Sequence, residues 1–461
     1  MRNRLVAAAV LIVVALPICA ATISNNDSCD IGVYPAATLL LPYFEVDLSP
    51  VAKKTTIFSI TNVSPQPQIA NVTLWTDFGF PVLSFRIFLS GYDVQPINLY
   101  DVIARGFVGS FQGTSIEAPN ARNSKGQPTN QNVGTQPALN TANAHFGKDV
   151  SILCGHLPGV IEPVVAQDAR LALTTGVTTG QTISCPLPDG TQARVGADHG
   201  ASTAVGYATV DVVSTCSTRF AIDGGYWPEV LNDNVLTGDY QQIALDPALG
   251  NYAGGNPMVH IRAVPGVALP FTFYDRFTKT DARQPLPSTF AARWIEDQSS
   301  FVTEYKIWRE PLTPAATLCS RYQENASMPY IELVRFDERE NAFAFGQIGI
   351  PEPPFSPTLP ATARVPISAP IFPNVVTTDS GGWMYFNLYN GNTRGASQNW
   401  VTVSMFAEGR FGVEQDATSL GNGCSAPAAP SSTGSIAPRP LNVTRTPSLV
   451  DLGAVRSTAR L

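Results

Sequence analysis

Catalysis by an activated serine or cysteine needs a general base, and the histidines available for that role are His145, His156, His199 and His260. No G-x-S-x-G elbow accompanies them. His260 sits in Val259-His-Ile-Arg262, an alternating run that reads as a strand with the ring on its polar face. His156 in Cys154-Gly-His156 and His199 in Ala197-Asp-His-Gly200 occupy loop-like contexts. Without H-E-x-x-H spacing they read as ordinary loop side chains rather than metal ligands. A glycosidase would need only two acids facing each other across a cleft, for which Asp77, Asp93, Asp101, Asp223, Glu229, Asp275 and Glu332 are candidates. Asn232-Asp-Asn-Val-Leu-Thr-Gly-Asp239 gathers oxygen ligands but lacks the alternate spacing and closing Glu of an EF-hand loop. Neither a metal nor an organic cofactor is expected.

Aromatic side chains offer the better binding chemistry, because a ring face can stack on a sugar. Tyr226-Trp227 follows Asp223-Gly-Gly225, a turn that would present both rings at the surface, and these two residues form the candidate ligand site. The plainer alternative is a pair of loop rings plugging the end of a sandwich. Along Trp383-Met-Tyr-Phe-Asn-Leu-Tyr389, the residues Trp383, Tyr385 and Tyr389 share one strand face and Met384, Phe386 and Leu388 the other. That run reads most simply as a strand buried between layers.

The elements that must position these groups follow a period of two. In Leu83-Ser-Phe-Arg-Ile-Phe-Leu89, Leu83, Phe85, Ile87 and Leu89 fall on one face and Ser84 and Arg86 on the other. Similar short runs, rich in β-branched and aromatic residues and bounded by turn formers, cover 55–62, 71–77, 204–213, 258–264, 270–274, 303–308, 330–336, 383–389 and 399–406. No segment shows sustained apolar recurrence at three and four residues. An all-β chain follows, built as an antiparallel β-sandwich, either one large or two consecutive sandwich domains, since a sheet with one apolar face must cover it with another layer. The first β-rich region spans 22–265 and the second 266–424. Polar stretches at 109–147 and 174–200 read as exposed insertions.

Composition sets the compartment and excludes some partners. Only 14% of residues are charged, about half the usual share, while 38 Pro and 36 Gly suit strands and turns. A net charge of −7 without a basic block argues against nucleic acid. Residues 1–21 carry Arg2 and Arg4, an apolar run from Leu5 to Leu16, then Pro17 and the small residues Cys19, Ala20 and Ala21, which is the pattern of a secretory signal peptide. The run is too short to cross a bilayer comfortably, and no transmembrane segment is expected in the mature chain. The mature cysteines Cys29, Cys154, Cys185, Cys216, Cys319 and Cys424 form an even set without C-x-x-C spacing, which reads as structural disulfides in an oxidising compartment. Their pairing stays open. Cys154, Cys185 and Cys216 paired among themselves or with Cys29, and Cys319 with Cys424, would close the loops expected. Residues 425–461, rich in Ala, Pro, Ser and Thr, read as a disordered tail.

Thr73-Leu-Trp-Thr-Asp-Phe-Gly-Phe-Pro81, Gly91-Tyr-Asp-Val-Gln-Pro-Ile-Asn-Leu99 and Arg283-Gln-Pro-Leu-Pro-Ser-Thr-Phe290 resemble phrases of exported bacterial proteins of unassigned function. The resemblance implies an envelope or extracellular location and brings no catalytic residue with it. The expectation is a secreted or periplasmic, non-enzymatic β-sandwich protein with a binding or surface-structural role, its partner a carbohydrate or an envelope protein. The alternative is a secreted polysaccharide hydrolase using a pair of carboxylates.

Overall fold

Side chains alternate across a strand, so a segment with one apolar face is stable only against a second layer. The computed structural model describes residues 32–420 apart from 90, 109–160, 180–188, 216–218, 223, 246–252, 270, 279, 297–300, 313–318, 347–349, 354–357, 375–378, 391–396 and 408–410. The expected signal peptide, the 109–147 insertion and the 425–461 tail lie outside the described residues, as do Cys29, Cys154, Cys185, Cys216 and Cys424. Cys319 opens a 3₁₀ turn, Cys319–Ala326, and its side chain is likewise outside them.

Antiparallel sheets dominate, as the period-two pattern predicts. One sheet runs in the order β4 (Pro81–Leu89), β3 (Gln68–Thr76), β6 (Thr203–Val213), β1 (Thr38–Asp47), β9 (Val259–Ile261), and is called the β6 sheet below. The β2 sheet has the order β5 (Val94–Asn98), β2 (Lys54–Asn62), β7 (Leu236–Ala244), β8 (Ala253–Pro257). The β11 sheet consists of β16 (Thr362–Pro366), β11 (Phe301–Arg309), β18 (Asn399–Ala407) and β19 (Phe411–Asp416). The β17 sheet consists of β14 (Ala342–Phe343), β13 (Glu332–Asp337), β17 (Gly381–Asn387), β10 (Thr289–Ile295) and β20 (Thr418–Ser419). A small ribbon pairs β12 (Met328–Pro329) with β15 (Thr358–Leu359). Strand β1 touches β2 and β7 on one side and β11 and β16 on the other, while β10 touches β11 and β18. The β6 sheet therefore packs against both the β2 and the β11 sheet, which also meet each other directly through β8 and β19, and the β17 sheet packs on the β11 sheet.

Two cores result. Leu39, Leu41 and Phe44 of β1 join Phe58, Val72 and Leu83 in the first, which α1 (Leu99–Arg105) and α2 (Pro163–Thr175) help close. Leu40, Trp75 and Tyr207, from the opposite face of the β6 sheet, join Trp308, Tyr305 and Phe386 in the second. The β6 sheet is thus buried on both faces. Residues on both sides of position 265 belong to one contact unit.

Several local expectations give way to the observed structure. Strand β1 has no alternation in its sequence because both of its faces are covered, and a doubly buried strand reads as a continuous apolar run. Helix α2 forms in a chain expected to hold no sustained helical pattern. Pro163 starts it, and Gly176 ends it at φ +71°, where a Cβ would collide with the Gly196 carbonyl. The 271–277 segment is a succession of turns rather than a strand. The 174–200 stretch is not exposed throughout, because Thr174, Ala193 and Val195 are buried, the last two within the first core.

At the end of β11 a buried cation organises the second core. Arg309 donates from Nη1 to the carbonyls of Met328 (2.8 Å) and Leu359 (3.3 Å) and from Nη2 to those of Pro329 (2.6 Å) and Leu388 (2.8 Å). Burial pulls its pKa down to about 9, so the guanidinium is charged at neutral pH. One side chain thereby ties together both strands of the ribbon and the end of β17. Arg309→Met should leave these buried acceptors unpaired and lower stability by about 3 kcal/mol or more. The effect should appear as a lower urea midpoint at unchanged slope.

Candidate functional site

Tyr226 is not a surface ring. It is fully buried, and its hydroxyl donates to Asp211 Oδ2 at 2.6 Å while accepting from Asn71 Nδ2 at 2.9 Å. Trp227 is half-buried, packed against Tyr226, Tyr274 and Phe277. The Gly-Gly turn folds inward because the carboxylate at its base needs donors. Asp211, in the middle of β6, also accepts from Thr38 Oγ1 at 2.5 Å and from the Tyr274 hydroxyl at 2.9 Å. Thr38 in turn accepts from Arg283 Nε, and Arg283 reaches Asp281 at 3.0 Å and the Leu231 carbonyl at 2.9 Å. Burial and the neighbouring Asp211 carboxylate push both tyrosine pKa values well up, so each remains a donor. The group is a structural clamp at the junction of β1, β6 and the 271–283 segment.

The acids and histidines are also drawn into local contacts. Asp77 accepts from the Ala197 amide at 3.0 Å and faces His199 Nε2 at 3.1 Å, a pairing the sequence does not reveal because the two lie on separate loops. Among the described residues no hydroxyl is hydrogen-bonded to that ring. His260 is buried rather than on a polar strand face, its Nε2 against the Gly238 backbone, and burial lowers its pKa. His145 and His156 lie outside the described residues, as does Asp223. Glu229 is held by Arg86 (3.4 Å) and Arg219 (3.2 Å), and Asp101 by Arg105 (2.8 Å). Asp93 caps the Val94 amide, and Asn234 is bonded to the Ala263 backbone instead of to its neighbours in the loop.

Two further carboxylates, missed in the sequence, come together in a cleft between the β2 and β11 sheets. Glu45 accepts from Lys54 (3.0 Å) and Arg364 (3.2 Å), and Arg364 also binds Glu304 (3.2 Å). Behind them Lys306 pairs with Glu414 at 2.5 Å, which also takes the Tyr240 hydroxyl at 2.9 Å. Burial raises the Glu45 pKa, but Arg364 and Lys54 outweigh it and hold the carboxyl below its ordinary value. The cleft has about 30 Å³ of space, room for a few waters at most.

The outer face of the β17 sheet is different. Register places Trp383 opposite Phe336, Tyr385 opposite Val334, and Asn387 opposite Glu332, with Arg293 and Ala291 following on β10. Trp383, Phe336 and Tyr385 are half-exposed, while Met384, Phe386 and Leu388 turn into the second core. Trp383 and Phe336 stack at 3.9 Å between centroids, with planes 4° apart. Tyr389 does not extend the row, being 7% exposed. Rings and polar groups therefore alternate across a sheet surface whose other side is fixed by packing. The alternation of this strand was legible in sequence; which face would remain uncovered was not.

No family model, curated protein or solved structure matches the chain, so its chemistry is read from its own residues. Among the described residues no group of three or more His, Cys, Asp or Glu could hold a metal ion, and no helix is long and apolar enough to cross a membrane.

Removing the Asp211 carboxylate should strand a buried guanidinium and several hydroxyls. Asp211→Ala should cost about 3–5 kcal/mol and Tyr226→Phe roughly 1 kcal/mol. A double-mutant cycle by urea denaturation should show coupling between the two positions. The acid limb of stability should also report on Glu45. Its lowered folded pKa contributes stability that is complete above the unfolded value near roughly 4.3 and is lost as pH falls through the folded one. Glu45→Gln should flatten that limb in a pH series of thermal melts.

Proposed function

We propose that the chain is an exported, non-enzymatic β-sandwich protein of the bacterial envelope that binds carbohydrate through the outer face of the β17 sheet. The leader sequence and the even set of mature cysteines support export. The observation that carries the binding reading is the half-exposed row of Trp383, Phe336 and Tyr385, interleaved with Glu332, Asn387 and Arg293. Rings accept the apolar face of a pyranose, and the polar groups between them can pair with its hydroxyls. Strand geometry presents these groups at fixed spacing without any loop having to order on binding.

The hydrolase alternative is less well supported by the same chemistry. A glycosidase requires one acid that holds a proton near neutral pH and a partner that is free to act on the sugar or on water. Glu45 and Glu304 share Arg364, and Arg364 and Lys54 favour the ionised form of Glu45.

A glycan array with the full mature chain, run beside a polysaccharide hydrolysis screen, separates the two readings. Binding without released sugar is the expected result. Trp383→Ala and Tyr385→Ala should each weaken that binding roughly tenfold, about 1.4 kcal/mol, with thermal midpoints close to the parent. Reducing ends released at a rate that Glu45→Gln or Glu304→Gln abolishes would replace this reading with the hydrolase.

A further inference from the structure

A second group of aromatic residues lies between the β6 and β11 sheets, and unlike the sheet face it surrounds a small cavity. Trp75 and Tyr207 stack there at 5.7 Å and 1°, with Trp308 edge-on to Tyr207 at 5.9 Å and Phe273 stacked on Trp308 at 5.7 Å. These rings enclose a cavity of about 10 Å³ that Arg276 and Glu310 also line. Arg276 is 9% exposed and Glu310 is 3% exposed. The guanidinium lies 4.2 Å from the Phe277 centroid and 5.5 Å from that of Trp75, and its Nη2 donates to the Tyr207 hydroxyl at 3.4 Å. Its Nη1 is buried without any protein acceptor. Glu310 accepts from the Gln398 amide at 3.4 Å, a long contact for a carboxylate. The two opposite charges thus share one small space without forming a direct ion pair.

We infer that this box is a binding site for one ordered water, which accepts from Arg276 Nη1 and donates to the Glu310 carboxyl. A buried donor without an acceptor is costly, and a buried carboxylate seeks donors. A cavity needs roughly 10–15 Å³ to hold a water, and the water needs at least two polar partners. Both conditions are met here at their lower limits. Burial raises the Glu310 pKa to about 7, with Arg276 and the Gln398 hydrogen bonds opposing the rise. The site would lie within the second core, joining the 271–277 turns to the end of β11.

Crystals of the full mature chain, grown once from chloride and once from bromide, test the assignment. The expected result is a single oxygen-sized density peak within hydrogen-bond reach of Arg276 Nη1 and Glu310, with no anomalous bromide signal. A dry cavity, a direct Arg276–Glu310 pair or a bromide peak would each overturn it. Glu310→Gln keeps an acceptor and should retain the water, whereas Arg276→Met should lose it. Glu310 also gives a reading in solution. Its folded pKa is raised, so the folded state binds the extra proton, and stability should fall as pH rises from the unfolded value near roughly 4.3 to about 7. Glu310→Gln should reduce that slope, most clearly between about pH 6 and 7, leaving the part due to Asp416, whose pKa burial raises to about 6.

Discussion

A sheet covered on both faces has no water with which to satisfy its polar side chains, and that constraint governs the centre of this protein. The β6 sheet carries Asp211 at 1% exposure, between Val210 and Val212 of the first core. Its charge is tolerable only because Thr38, Tyr226, Tyr274 and, through Thr38, Arg283 converge on it. These donors come from three separate parts of the chain. The inward fold of the Gly224-Gly225 turn, the path of the 271–283 segment and the position of β1 beside β6 all meet at one carboxylate. The apolar cores hold the sheets together without direction, whereas this network specifies which segment lies against which.

Arg309 applies the same logic with the opposite sign. It has no carboxylate partner among its contacts and is held by four backbone carbonyls and the Asn399 side-chain oxygen, so its cost of burial is offset by hydrogen bonds that also fix the β12–β15 ribbon. The Glu45, Arg364 and Glu304 group is intermediate, a partly exposed cluster that bridges β1 of the β6 sheet to the β11 sheet. Buried charge in this molecule therefore works mainly as fastening. The surface face with rings left half-open, the outer side of β13 and β17, is built from residues whose backbone is already locked by what lies beneath.

Sequence periodicity was sufficient for the fold class and for strands β2, β3, β4, β6, β9, β11, β13, β17 and β18, fewer than half of the strands described. Leu83, Phe85, Ile87 and Leu89 share the face they were expected to share, and Met384, Phe386 and Leu388 point into the core. It failed where burial is two-sided or where long-range partners decide. Strand β1 shows no alternation because it has no wet face. Asp211 looks in sequence like one more polar alternation in β6, and nothing near it announces Tyr274 or Arg283. The Gly-Gly context of Tyr226 allows either an exposed ring or a plug at the end of the sandwich, since local turn chemistry cannot sense a carboxylate fifteen residues back in the chain. The pairing of Asp77 with His199 and of Glu45 with Glu304 through Arg364 spans separations that only the folded chain brings together.

The pairing of β1 also has a consequence for biogenesis. Its two neighbours are β6, in the register Thr38 to Asp211, and β9, in the register Thr38 to Ile261. A chain emerging from its amino end therefore presents a continuous greasy segment long before either mate exists, and loop closure over such spans is slow. Nascent protein must be kept from self-association during that interval. The central lamina is thus among the first parts to be synthesised and among the last that can be completed.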